Sequence, residues 1–252
     1  MMRTLVLRYF KMSVSENNNP NTGNFSAEPD LMNFLVSSIH DTKNSVCLLL
    51  NSLDKALANA DARKLAAHTE LVRVNAEAKR VNNNLVQLLT LYQFGQRVYP
   101  LDVQYISLRD FISGIVAQYS DLLRFREITL EAHVTPELHW YFDEDLVNAV
   151  IGNAINNAIR YTRDRIRIAA EERDGRLLLR VEDNGRGYPV AMLQDNDGNF
   201  IHRIDPLENS TGLGFYFSAK VARMHRNHGV AGKLKLENGG PMKGACFLLF
   251  LP

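Results

Sequence analysis

Two runs of apolar residues that recur at alternating steps of four and three set the first constraint on this chain. Leu35, Ile39, Thr42, Val46, Leu49, Leu53 and Ala56 form one series, and Leu71, Val74, Ala78, Val81, Leu85, Leu88 and Tyr92 form the other. Such spacing returns side chains to one stripe of an α-helix every two turns, so each run predicts a long helix with a single packing seam. The joint around residues 58–63 is short, which makes the two helices antiparallel neighbours. A lone hairpin leaves a second stripe wet, and pairing two hairpins into a four-helix bundle covers it, so a homodimer through the hairpin is expected. The alternative is a hairpin packed on its own downstream domain.

Residues 13–30 hold Asn17, Asn18, Asn19, Pro20, Asn21 and Gly23 with almost no large apolar side chain, so they cannot offset their ordering entropy by burial and read as a flexible arm. Beyond Pro100 the period changes. A helix-like stretch within residues 103–120 precedes an alternating strand at 128–134. A helix follows over 143–161, opened by acidic residues that suit its positive end. Strands at 166–170 and 177–181 flank Asp174-Gly175, a hairpin signal. Residues 189–211 are irregular, residues 214 to about 225 are helical, and strands at 233–236 and 245–251 close the chain. The fold class is therefore α+β, a dimerising helical hairpin followed by an α/β sandwich of sheet against helices.

Composition removes several classes of function. The 29 basic and 28 acidic residues leave a net charge of +1, too weak a field to argue for nucleic acid as a partner. The longest apolar runs, near residues 46–50 and 246–251, fall short of the roughly 18 residues a membrane-spanning helix needs. Near the start, Arg8 and Lys11 interrupt the apolar stretch and a secretion signal is not expected, so the expected location is cytoplasmic. Cys47 and Cys246 lie far apart in apolar surroundings, which suits buried free thiols rather than a disulfide framework.

Three motifs carry chemistry. In the 143–161 helix, Asn153, Asn157 and Arg160 share one face while Val147, Val150, Ile151, Ala154 and Ala158 occupy another. Asparagine is a poor interior helix former, and its amide oxygen suits Mg2+, which completes its shell with water and phosphate oxygens; a solvated helix face reads equally well from this helix alone. Asp183-Asn184-Gly185-Arg186-Gly187 follows a strand, where a buried carboxylate accepts from an exocyclic amine and glycines admit a flat ring. Ser210-Thr211-Gly212-Leu213-Gly214 leads into a helix whose free N–H groups suit phosphate.

In that order, the Asn153/Asn157 helix, the Asp183-Gly185-Gly187 turn and the Gly212-Leu213-Gly214 loop resemble the N, G1 and G2 boxes of the ATP-binding domain of two-component sensor histidine kinases, the Bergerat or GHKL fold shared with DNA gyrase, MutL and a class of heat-shock chaperones. The resemblance implies that Asp183, Gly185, Gly187, Thr211, Gly212, Leu213 and Gly214 bind ATP. It implies that Asn157 holds Mg2+, with Asn153 and Arg160 supporting metal and phosphates, and that Tyr161 is the aromatic that usually follows. Residues 189–210 then correspond to the mobile lid over the nucleotide, with Phe200 as the sole candidate for its usual Phe-x-x-Phe pattern. Upstream, His40-Asp41-Thr42-Lys43-Asn44 resembles the phosphoacceptor box. His40 sits beside the seam residue Ile39, so its ring is displaced toward solvent; Asp41 orients the ring, and Asn44 lies one turn on, where related kinases position a hydrolytic water for phosphatase activity. The chain departs from the family pattern at Ser45, usually Pro, and at Ser210, usually Gly.

The implied domains are an arm over 1–30, a dimerisation and histidine phosphotransfer hairpin over 31–97, and an ATP-binding catalytic domain over 98–252. The implied activity is that of an ATP-dependent protein-histidine kinase that labels His40 and passes the phosphoryl group to an aspartate of a response-regulator receiver domain. With no sensor domain in the sequence, input is expected from a separate sensor protein, unless this is the catalytic part of a longer receptor. Two rivals stand beside it. One is a histidine phosphotransfer protein with a degenerate nucleotide site, which the retained Asn157, Asp183 and glycines disfavour. The other is a chaperone-like or mismatch-repair ATPase, which usually has Glu where this chain has Asn153.

Overall fold

A computed structural model describes residues 46–47, 49–51, 53, 65–95, 99–193 and 213–252. The chain divides into two compact units, Met1–Tyr99 and Pro100–Pro252.

In the first unit, helix α1 runs Leu65–Gly95, as the apolar spacing predicts, and the described residues between 46 and 53 are helical. Burial falls one residue away from the expected seam. Leu89 and Asn82 are buried on α1, and Leu50 is buried on the upstream helix, where the Cys47 thiol donates to Asn82 Oδ1 at 3.3 Å. Val74, Val81, Leu88 and Leu49, all members of the two apolar series, are exposed. The contact within one chain thus runs along a more polar stripe, because the 100° advance per residue separates adjacent positions by almost a third of a turn. The proposed arm over 1–30 and the first half of the first helix lie outside the described residues.

The second unit is a two-layer sandwich. Its elements are β1 Val103–Ser107, α2 Leu108–Phe125, β2 Thr129–Val134, β3 His139–Asp143, α3 Glu144–Tyr161, β4 Arg165–Arg173, β5 Arg176–Asp183, a single helical turn α4 Val190–Leu193, α5 Leu213–Met224, β6 Arg226–Asn227, β7 Val230–Ala231, β8 Lys233–Gly239 and β9 Gly244–Leu251. The main sheet has the order β2-β4-β5-β9-β8, parallel between β2 and β4 and antiparallel elsewhere. Asp174 and Gly175, both at positive φ, close the β4–β5 hairpin as that dipeptide should.

Register explains the core. Ile166, Ile168 and Ala170 on β4 lie opposite Asp183, Val181 and Leu179 on β5, while Leu251, Leu249 and Phe247 on β9 face Leu177, Leu179 and Val181. These side chains share the face against which the helices pack, and Phe215 of α5 meets Phe247 at a ring distance of 6.5 Å. Helix α3 contributes Leu146, Val147, Val150, Ile151, Ala154, Ile155 and Ala158 to the same layer. Each large aliphatic group withdrawn from water there contributes about 1.5–3 kcal/mol. The opposite face is largely polar, with an Arg167–Glu131 ion pair at 3.0 Å, around a small apolar cluster of Leu178, Cys246 and Leu248.

Helix starts follow capping chemistry. Ser107 accepts from Asp110 N to open α2, and Asp143 accepts from Leu146 N to open α3, with Glu144 and Asp145 in its first turn. The helix-like stretch expected within residues 103–120 begins at Leu108. Residues 103–107 before it form a strand that the sequence did not mark, paired with His139–Asp143, because Val103, Tyr105 and Ser107 find cross-strand partners Asp143, Tyr141 and His139 from a segment more than thirty residues later. The β6–β7 hairpin was not expected either; its turn at His228 and Gly229 takes positive φ at both positions.

Candidate active site

The site gathers at the end of β5. Asp183, the last residue of that strand, is 4% exposed. Its Oδ1 accepts from Gly185 N at 2.7 Å and Ala245 N at 3.2 Å, so the amide of the neighbouring strand β9 completes what the local turn begins. Burial pushes the Asp183 carboxyl above the usual carboxylate range, against the pull of those two N–H groups. A carboxylate held in this way gains most from a further N–H donor at its second oxygen, where a charge-assisted bond contributes about 1.5–3 kcal/mol.

The glycines are sterically required. A side chain at Gly185 would run into the Tyr161 carbonyl, and one at Gly244 would strike the Asp183 backbone and come within 2.5 Å of its Oδ1. Gly187 has φ +79° and a Cβ there would lie 2.7 Å from Asn238 Oδ1. Asn238 reaches from β8 to grip the turn, accepting from Tyr188 N at 2.6 Å and donating to Tyr188 O at 2.8 Å. Tyr188 packs edge-on against Phe215, and burial beside Asp183 raises its phenol out of the ionising range. The Cys246 thiol is pushed up to about 12 by burial and the neighbouring Glu182, so it is inert near neutral pH.

Helix α3 supplies the opposite wall. Asn153 Nδ2 donates to Gly214 O at 3.5 Å, and Gly214 approaches the Asn153 side chain closely enough that a Cβ would sit 3.5 Å from its Cγ. This brings the asparagine helix to the N-terminus of α5, where Ser218 Oγ also donates to Gly214 O at 2.7 Å. Asn157 lies one turn beyond Asn153 and is half-buried. Arg160 and Arg186 lie over the Tyr161 ring at 5.5 and 5.1 Å, so a cation from α3 and one from the glycine turn meet on one aromatic.

Of the residues expected from sequence, the fold brings Asn153 beside Gly214, sets Tyr161 against Gly185, and gathers Asp183, Gly185 and Gly187 in one turn; Leu213 opens α5. His40, Asp41, Asn44, Thr211 and Gly212, and residues 194–210 of the expected lid, lie outside the described residues. Sequence reasoning missed Ala245, Gly244 and Asn238. Their signal was the Gly239-Gly240-Pro241-Met242-Lys243-Gly244 turn, whose closeness to Asp183 depends on strand pairing across more than sixty residues.

The donor set fits an adenine nucleotide with Mg2+: a buried carboxylate for an amine, a cradle too tight for side chains, a helix N-terminus, and hard amide oxygens on Asn153 and Asn157. Residues 142–252 match the family described as histidine kinase-, DNA gyrase B-, and HSP90-like ATPase. Over most of its length the chain resembles two-component sensor histidine kinases. It is 24% identical over 232 residues to the sensor protein SrrB of Staphylococcus aureus, an alignment that takes in 87% of this chain and 37% of that protein. The chain thus spans little more than a third of the curated relatives it matches. Among solved structures, the histidine kinase AdeS of Acinetobacter baumannii aligns with 82% of this chain and 95% of its own at TM-score 0.52 and 18% identity. Full-length ShkA in complex with AMPPNP aligns with 87% of this chain and 45% of its own at TM-score 0.60 and 17% identity, a likeness of fold. Among the described residues, no helix is long and apolar enough to cross a membrane.

Proposed function

We propose that the chain is an ATP-dependent protein-histidine kinase of a two-component system. Its ATP-binding unit phosphorylates His40, and the phosphoryl group then passes to an aspartate of a response-regulator receiver domain. The observation that carries this reading is the Asp183 carboxylate, buried, with Oδ1 occupied by Gly185 and Ala245 and its second oxygen available to the amino group of adenine. Asn157 and Asn153 would hold Mg2+, which when bound neutralises charge on the phosphates. Arg160, Thr211, Gly212, Leu213 and Gly214 would line the phosphate side and Tyr161 the nucleoside side. The His40 imidazole attacks the γ-phosphorus, the bond to the β-phosphate oxygen breaks and ADP leaves; Asp41 stabilises the positive charge gained by the ring. Asn44 would orient a water that hydrolyses the phosphorylated regulator.

The hairpin over 31–97 would present His40 and form the homodimer. Exposed Val74, Val81 and Leu88 support that reading, because a second copy of the chain covers a stripe that one chain leaves in water. A cytoplasmic site of action, with input from a separate sensor or from further domains, agrees with this assignment.

The test is incubation with γ-labelled ATP and Mg2+. Label on the protein is expected to be acid-labile and base-stable, and His40→Gln is expected to abolish it while nucleotide binding persists. Label that survives in His40→Gln would refute the phosphoacceptor, and a wild-type protein that binds no ATP would refute the site.

A further inference from the structure

Asn184 lies inside the first glycine turn, between Asp183 and Gly185, and the site described above gives it no role. Its Oδ1 collects four donors from the segment that follows α3: Thr162 Oγ1 at 2.8 Å, Arg163 N at 3.2 Å, Asp164 N at 3.3 Å and Arg165 N at 3.2 Å. On the other side its Nδ2 donates to Asp164 Oδ1 at 2.6 Å, and its backbone N donates to Arg165 O at 3.3 Å. These partners settle the orientation of the amide, since a flipped group would set an NH2 against three N–H groups and an oxygen against a carboxylate.

The segment gripped in this way begins one residue after Tyr161, the end of the helix that carries Asn153, Asn157 and Arg160. One side chain therefore ties the carboxylate end of the site to the asparagine end. Gly185, pressed against the Tyr161 carbonyl, keeps the two in contact, but a glycine supplies no directional bond. Asparagine is suited to the place because it offers a convergent acceptor and a donor at once. Aspartate would set two carboxylates face to face, and alanine would remove every side-chain bond to the segment, leaving backbone bonds such as the one from residue 184 N to Arg165 O.

We infer that Asn184 is a positioning residue that holds the adenine-binding carboxylate in register with the metal- and phosphate-binding helix, so that one nucleotide engages both. The inference rests on the nucleotide reading above. It acts through geometry: a ligand that touches only Asp183 is indifferent to Asn184, whereas a ligand that spans both ends gains from having them pre-set.

The experiment compares binding of adenosine with binding of AMPPNP plus Mg2+, by calorimetry, in the wild-type chain and three variants: Asn184→Ala, Asn184→Asp, and the exchange Asn184→Asp with Asp164→Asn. The exchange restores an acceptor among the N–H groups and an amide donor to meet it. Asn184→Ala and Asn184→Asp are expected to weaken AMPPNP about tenfold while adenosine changes less than about twofold, and the exchange is expected to recover most of the loss. Equal weakening of both ligands would mark a general loss of folded structure and overturn the inference, as would unchanged AMPPNP affinity. Should Asn184→Ala fail to fold, the exchange against Asn184→Asp decides alone: no recovery refutes the register. Wild-type protein that binds neither ligand overturns the nucleotide reading itself, a result distinct from wild-type binding that the variants leave untouched.

Discussion

In the sandwich unit, Val147, Val150, Ile151, Ile155, Ile166 and Ile168 are sealed from water, whereas the buried positions described on α1 of the helical unit include Asn75, Asn82, Gln87 and Thr90. The first arrangement is a finished core, closed by a sheet on one side and three helices on the other. The second turns polar groups inward and leaves valines and leucines outside, a distribution that suits a surface completed by another copy. The site belongs to the finished core, where rigid strands and helices can hold donors to within fractions of an ångström.

Truncation to alanine should therefore cost far more in the first region than in the second. Ile151→Ala removes fully buried methylenes and is expected to cost the sandwich about 2–5 kcal/mol, read as a lower midpoint in denaturant. A loss below about 1 kcal/mol would mean that this core is less tightly packed than its burial indicates.

Asp183→Asn separates stability from function inside that core. Its amide oxygen still accepts from Gly185 N and Ala245 N, and the cost of burying a charge disappears. The thermal midpoint of the empty protein is expected to hold or rise, while nucleotide affinity falls about tenfold or more. Unaltered affinity would remove Asp183 from the site.

His225 tests the packing of α5 against the start of α3. It is buried, its Nε2 accepts from Asp143 N at 3.0 Å and its Nδ1 pairs with Val221 O at 2.8 Å. Burial holds its pKa below the usual histidine value, against the Val221 carbonyl and the Asp143 charge. The folded state therefore binds fewer protons than the unfolded one. The stability that His225 contributes is complete above about pH 6.5 and declines as pH falls from there through the folded-state pKa. Denaturation at pH 7.5 and pH 5.0 should show the decline, and His225→Gln should flatten it; an identical slope in that variant would place the effect elsewhere.

Val81→Ala is the smallest change. On an exposed stripe it should alter monomer unfolding by less than about 0.5 kcal/mol, while weakening self-association in sedimentation measurements. A loss as large as that of Ile151→Ala at low protein concentration would mean that one chain buries this stripe unaided.

Much of the sandwich was legible because its cues are local. Alternation marked β2, Asp174-Gly175 marked the hairpin, and the acidic start of α3 marked a helix. Residues 103–107 were not marked as a strand because they carry no strong alternation of their own; only their partners at 139–143 make them one. In the candidate site, Asp183, Gly185, Gly187 and Asn153 were visible as spaced motifs, which the fold gathers at the end of β5 and beside Gly214. Ala245 and Asn238 were not, since a backbone amide has no sequence signature and an asparagine near a turn has many uses.

From the sequence alone came the elements whose causes lie within a few residues of one another: helix periods, caps, turn dipeptides and glycine-bearing motifs. Tertiary structure decided which stripe of α1 is buried, which distant amide completes the Asp183 pair, and that Asn184 grips the end of α3. Those contacts join residues 19 to 62 positions apart, where sheet pairing and packing, rather than neighbouring residue types, determine who meets whom.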